Sequence, residues 1–376
     1  MDWLIVDYRL IIAGIFVLAA LIQLIYYFFL YGKFSFRKLK ERRKKIKDPV
    51  SVIICARNEA ENLDKNLEAI LTQDYPEYEV VVVNDCSNDN TADVLGKYLK
   101  KYSHLRTTDI TEDPKFSHSK KLALTVGIKG AKYEHLLFTD ADCKPVSKSW
   151  IKKMHSRFSD KVNIVLGYGG YIQQPGFLNR YIRYDTVTIA IQYFSFAMAR
   201  KPYMGVGRNL AYKKSLFFKN KGFANHYHLL SGDDDLFVNE NANKENTAVE
   251  FSIDSHTLSE PEKKTSAWIR QKSRHFTTGK LYKRKHKFML GGESLSRFLF
   301  YAAFIYLLAT DYHIEIVLSI FAVRLITQLI IYKLAITKLN EKNLLLSILF
   351  FDVLAMFVNF TLYFWRRKRP KLKKWK

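Results

Sequence analysis

Seven residues, Leu136-Leu137-Phe138-Thr139-Asp140-Ala141-Asp142, restrict the folds open to this chain more than any other stretch. An apolar run that stops at two carboxylates one residue apart reads as a buried strand delivering both to a sheet edge. Paired carboxylate oxygens there suit a hard divalent cation, Mg2+ or Mn2+. The sequence upstream repeats the pattern. Residues 50–56 read as an apolar strand, 59–73 as a helix, 78–84 as a strand, 90–102 as a helix, 105–110 as a short strand and 119–132 as a helix; 135–139 is the strand that carries the carboxylates. Continuous apolar strands between helices predict an α/β fold on a parallel sheet covered on both faces. Such sheets bind ligands outside the carboxyl ends of their strands.

Apolar segments frame this domain. Residues 4–30 exceed the roughly 20 residues that cross a hydrocarbon core. The run is too long for a signal peptide and lacks a basic start and a small-residue cleavage site; Arg9, near its outer end, can snorkel. The basic run 33–47 then places the domain after it in the cytoplasm. Residues 314–336 and 344–365 are each long enough to span, whereas 297–310 is shorter. The basic tail 366–376 also belongs inside. Parity then calls for two late spans, with 297–310 an interfacial or re-entrant helix; three late spans are the alternative. Arg324, in mid-span, should face protein or a polar cavity. The expected organisation is a transmembrane helix (1–32), a basic cytoplasmic collar (33–48), an α/β domain (49–290) and late membrane helices with the basic tail (291–376). That is a multi-pass protein of the inner (plasma) membrane. A net charge of +24 in a chain that is 48% hydrophobic, with the basic clusters beside apolar runs, fits membrane lipids as partners and not nucleic acid. Cys55, Cys86 and Cys143 show no metal-binding spacing and read as reduced thiols.

Four polar clusters sit at predicted strand ends or loops. Ala56-Arg57-Asn58-Glu59 suits a helix start and equally a loop holding a base or ribose. Asn84-Asp85-Cys86-Ser87-Asn88-Asp89-Asn90-Thr91 is turn and capping chemistry. Asp85 nevertheless leaves a buried strand, where its carboxylate could accept a pyrimidine imide N–H. In Met204-Gly205-Val206-Gly207-Arg208-Asn209 the glycines allow close backbone approach, and Arg208 and Asn209 are candidates for sugar or phosphate contacts. In Ser231-Gly232-Asp233-Asp234-Asp235, crowding should raise at least one carboxyl pKa, as a general base requires; the register admits Asp233 or Asp234. Residues 177–204, rich in Tyr and Phe with Arg180, Arg183 and Arg200 interspersed, read either as a core helix pair or as an amphipathic platform on a bilayer.

Taken in order, these segments resemble the membrane-bound bacterial type of inverting family 2 glycosyltransferases with the GT-A fold. Residues 50–59 resemble that family's opening strand. Residues 83–91 resemble its Asp-Asp-Gly-Ser-x-Asp-x-Thr segment, with Asn84 and Cys86 in place of the first Asp and the Gly. Lys120-Lys121-Leu122-Ala123-Leu124-Thr125 resembles its Lys-x-x-Ala-Leu-Asn helix start, and Asp140-Ala141-Asp142 its Asp-x-Asp site. Gln271-Lys272-Ser273-Arg274-His275 resembles its Gln-x-x-Arg-Trp motif, with His275 replacing the Trp. The resemblance implies a Rossmann-like GT-A nucleotide-sugar-binding domain flanked by transmembrane helices, a UDP-linked sugar donor, a lipid or glycan acceptor and a Mg2+ or Mn2+ cofactor. It puts Ala56, Arg57, Asn58, Glu59, Asp85, Lys120, Asp140 and Arg274 on the donor, Asp140 and Asp142 on the metal, Arg208, Asn209 and Gln271 on the acceptor side, and Asp233 or Asp234 as the base. A non-catalytic membrane scaffold or receptor that keeps the fold is the competing reading.

Overall fold

A computed structural model describes residues 8–39, 48–112 and 119–367; the basic runs 40–47 and 368–376 expected at the membrane surface lie outside the described residues. Ten strands form two sheets: β1 (Val50–Ala56), β2 (Tyr78–Asp85), β3 (Leu105–Ile110), β4 (His135–Asp140), β5 (Cys143–Pro145), β6 (Ile164–Leu166), β7 (Gly169–Tyr171), β8 (Leu210–Lys213), β9 (Thr247–Val249) and β10 (Thr257–Ser259). The main sheet runs β3-β2-β1-β4-β8-β6-β9 and the small one β5-β10-β7. Strands β3, β2, β1 and β4 are parallel, and β8 is antiparallel to both β4 and β6. Every residue of β1 is buried, which is why that run carries no polar alternation.

The helices Ala60–Leu71, Thr91–Lys101 and Lys120–Gly130 connect the first four strands. They reproduce the sequence expectation to within two residues at each end. Helix Lys120–Gly130 lies so close to the sheet that a Cβ on Gly127 would stand 2.8 Å from Ile53 and 3.0 Å from Val83. The register pairs Cys55 with Val83 on one side and with Asp140 on the other. The polar ends of β1, β2 and β4 therefore share one edge.

Among the described residues two helices, Tyr8–Ser35 and Ile314–Lys338, are long and apolar enough to cross a membrane, and Ser347–Leu362 is a shorter apolar stretch. Residues 297–310 do not form a separate short helix. They end a 26-residue helix, Arg284–Ala309, which packs along Tyr8–Ile25 through Phe16, Ala19, Ala20, Phe300 and Ala303. No proline interrupts 284–309, and the basic residues at its start occupy the first turn, so the helix continues through the point where the α/β domain was expected to end. Residues 177–204 likewise form one helix, Phe177–Met198, not a pair. Its Arg183 is buried and donates to Glu341 and to the carbonyl of Lys342, in the loop between Ile314–Lys338 and Ser347–Arg367.

Candidate active site

The first two strand ends are latched together before any ligand is considered. Asn58 has φ +54°, and its Oδ1 accepts the N–H of Asn88 while its own N–H donates to Ser87. Glu59 N–H donates to Thr91 Oγ1 and Ala60 N–H to Asp89. Asn58 thus serves the backbone as much as any ligand. Ala56 is fully buried and Arg57 nearly so. Asn84 bonds Asp109 at 2.7 Å across to β3. Cys86 sits at φ +53°, in the left-handed region that glycine enters without a steric penalty. Asp85 is completely buried at the end of β2.

Lys120 organises the centre. Its Nζ lies 2.7 Å from Asp140 and 3.2 Å from Asp233, joining the end of β4 to the acidic triplet. Burial disfavours the ammonium, but Asp140, Asp233 and Asp234 outweigh it and hold its pKa well above the usual value. Burial also works against a charged Asp233, yet Lys120 overrides it and lowers that carboxyl. Asp234 goes the other way. Burial and the charges of Asp233 and Asp235 push it up to about 7. Its oxygens accept the N–H groups of Gly207 and Asp235, both at 2.7 Å, the second capping helix Asp235–Asn241. Asp235 accepts from Thr278 and from Tyr282. The loop before the triplet is pinned by buried Lys121, which donates to the carbonyls of His226 and Leu229. Gly232 takes φ +101°, where a side chain would also strike Leu236.

Ligand atoms of Asp140, Asp142 and Cys143 all lie within 4.8 Å of one another. Burial, then the charge of Asp140, raises Asp142 to about 6. Two carboxylates that repel at the mouth of a cleft are what a dication relieves, so the donor set fits a hard cation. The neutral thiol of Cys143, fully buried and bonded to Ser259, contributes less.

A cleft of about 200 Å3 brings together Lys120, Asp140, Asp142, Asp233, Asp234 and Arg274. A second cavity of about 370 Å3 begins at Asp234 and Arg208 and reaches Leu290, Ser294, Ala355 and Asn359 on the late helices. Tyr171, Val206, Arg208, Asp234, Gln271 and His275 line both spaces. Arg208 stacks on Tyr171 at 4.2 Å. Tyr171 has no motif that could have announced it in sequence. His275, known only as a substitution, is exposed to both spaces, and desolvation in the cleft together with the charge of Arg274 lowers its pKa. Asn209 corrects the sequence reading. It is fully buried, accepts from Trp150 Nε1 and donates to the carbonyls of Tyr168 and Ser255, so its polar groups are spent on packing beneath the cavity wall.

Comparison with known proteins agrees with this geometry. The family model described as Glycosyl transferase family 2 matches residues 51–219. A poly-beta-1,6-N-acetyl-D-glucosamine synthase of Staphylococcus epidermidis is 33% identical over 121 residues, 31% of this chain and 28% of that one. Glycosyltransferase AglE of Haloferax volcanii is 33% identical over 141 residues, 37% of this chain and 45% of that one. The matched stretches span less than half the length of these relatives. Mannosyltransferase PcManGT from Pyrobaculum calidifontis, solved in complex with GDP-Man and Mn2+, superposes with a TM-score of 0.56 at 19% identity, covering 88% of this chain and 98% of that one; at that identity the likeness is one of fold.

Proposed function

We propose that this chain, whose residues 51–219 match the family 2 glycosyltransferase model, is a membrane-attached inverting glycosyltransferase of the GT-A fold that moves a sugar from a UDP-linked donor to a lipid-linked acceptor. The observation that carries this reading is the seam. A polar cleft holding the carboxylates and Lys120 shares six lining residues, Asp234 among them, with a cavity of mixed aromatic, aliphatic and polar lining bounded by the late helices. Transfer between two ligands needs two such spaces meeting at a base.

In the proposed reaction Arg57 and Glu59 flank the donor ribose at the end of β1; Asp85 is completely buried and does not line the cleft, which corrects its assignment to the donor base. Lys120 and Arg274 offer their charges to the diphosphate. Asp140 and Asp142 would hold a divalent cation, which neutralises charge on the departing diphosphate. The acceptor hydroxyl lies at the seam beside Arg208, Gln271 and His275. The Asp233–Asp234 pair takes its proton as the oxygen attacks the anomeric carbon from the side opposite the diphosphate. The new C–O bond forms, the bond to the β-phosphate breaks, and the anomeric configuration inverts. Two carboxylates this close titrate as a unit, so base function is assigned to the pair. The reach of the cavity to Leu290 and Ala355 on the late helices supports a lipid-linked acceptor over a free glycan, and the two long apolar helices support attachment to a membrane with the domain on its nucleotide-containing face.

The test is a screen of UDP- and GDP-sugars against full-length protein in detergent with Mn2+ or Mg2+. A donor at 100 times its Kd raises stability by about 2.7 kcal/mol. A UDP-sugar should give that shift in the wild type, lose it in D142A and on chelation, and label a lipid extract. No shift with any nucleotide sugar would leave the scaffold reading in its place.

A further inference from the structure

At the opposite end of the sheet lies a second constellation that the proposed reaction does not use. Asp48 precedes β1, His135 begins β4, and His155 ends helix Trp150–His155. Three elements distant in sequence thus converge on one point, and one ligand atom from each lies within 4.8 Å of the others. His155 Nε2 stands 3.8 Å from Asp48 Oδ2. The two imidazoles meet edge to face at 4.7 Å. A cavity of about 310 Å3 opens beside Asp48 and His135. We propose that Asp48, His135 and His155 form a binding site for a transition-metal dication of the zinc class.

The chemistry of the ligand set points there. Two imidazole nitrogens and one carboxylate oxygen suit Zn2+, whereas Mg2+ prefers oxygen and water throughout. Bonds of 2.0–2.2 Å to a tetrahedral ion space the ligands by roughly 3.4 Å. The present set is wider than that, at up to 4.8 Å, so an ion would draw the half-exposed Asp48 inward, and the adjoining cavity leaves room for a water in the fourth position. Ring stacking accounts for the imidazoles and for Phe158 beside His135 at 4.7 Å, but it does not call for a carboxylate against His155 Nε2. The site is separate from the Asp140–Asp142 edge. β4 carries His135 at one end and Asp140 at the other, about 17 Å away at the rise of a strand. Its role is structural. Asp48 lies where the chain arrives from helix Tyr8–Ser35, so the ion ties that arrival to the sheet and to helix Trp150–His155.

The experiment uses full-length protein in detergent with excess Mg2+, dialysed against micromolar Zn2+ and then against metal-free buffer. Wild type should retain one zinc per chain by elemental analysis and show a tetrahedral visible spectrum when Co2+ replaces it. H135F and H155F, which keep an aromatic ring and remove the ligand, should retain none. D48N, at a half-exposed loop position where misfolding is not expected, should retain clearly less zinc than wild type after the same dialysis. D142N should retain the ion, which separates this site from the proposed catalytic one. Absence of retained zinc in folded wild type overturns the proposal, and so does equal zinc in wild type and D48N.

Discussion

Single side chains decide the titration of the proposed site. Asp234 is raised to about 7 by burial and then by the charges of Asp233 and Asp235. A base of that pKa is protonated, and lost, as pH falls through it. The acid limb of a kcat/KM profile should therefore have its midpoint near pH 7. D235N keeps an oxygen for Thr278 and Tyr282 but removes one of the two repelling charges. It should move that limb to lower pH; a limb that stays fixed or rises would take the base role away from the pair. Asn209 supports a different prediction. N209A strands Trp150 Nε1 and the carbonyl of Ser255 in the core, while the Tyr168 carbonyl keeps the N–H of Thr257, and an orphaned buried group costs about 1–3 kcal/mol. The melting temperature should fall markedly while the acceptor KM holds; the reverse pattern would restore Asn209 to the cavity wall. Residues such as Asp142 and Lys120 were legible in sequence because strand-end carboxylates and a helix-start lysine have a recognisable local context. Asn209 was not, since its partners Trp150 and Ser255 lie 59 and 46 residues away.

Elements follow the same division. The first four strands and their helices were readable because each is a long run of one hydrophobic period. Strands β5, β6, β7, β9 and β10 have three residues each, too short for a period to register. The late helices hid their true extent and also their cement. Arg324, fully buried, donates to Asp352, Gln328, Tyr301, Gln23 and Tyr27. Arg297 pairs with Asp352 and Glu293. The expectation that Arg324 faces protein holds in the structure, and its partners come from all four apolar helices. The cluster holds two arginines and two carboxylates, so it is neutral as a set. D352A leaves both arginines short of one countercharge, a change that costs about 3–5 kcal/mol when a buried pair is broken. R324M/D352L removes an equal pair of charges and leaves Arg297 with Glu293. The double variant should therefore be more stable than D352A alone, measured by thermal unfolding in detergent. A double variant whose cost is the simple sum of those of R324M and D352L measured singly would show that the cluster is not coupled.

At the scale of the molecule, the apolar helices and the α/β domain are one packed body. Tyr27, Leu30, Tyr31 and Phe34 from the first helix share a continuous core with Ile53 and Val83 of the sheet, Phe194 and Phe196 of helix Phe177–Met198, and Tyr332, Ile348 and Phe351 of the late helices. Phe34 stacks on Phe194 at 5.2 Å and meets Phe251 edge to face at 5.0 Å. Glu341 adds a polar fastening, accepting from Tyr168 as well as Arg183. None of this was legible from the sequence, which marked a boundary near residue 49 by composition alone. Composition reports which solvent a segment prefers and is silent on which face of a neighbour it covers. The consequence is testable by excision. A fragment of residues 49–290 would bare Phe194 and Phe251, which pack on Phe34, and Tyr184, which packs on Tyr332 and Phe351, an apolar surface of the kind that drives aggregation. It would also leave Arg183 without Glu341 and open the far wall of the cavity that reaches Ala355 and Asn359. The fragment should be recovered aggregated or with a melting temperature well below that of the full chain in detergent. Any residual donor binding should come without transfer to lipid. A soluble monomer that melts with the full chain and still glycosylates a lipid extract would mean that the helices are only a tether.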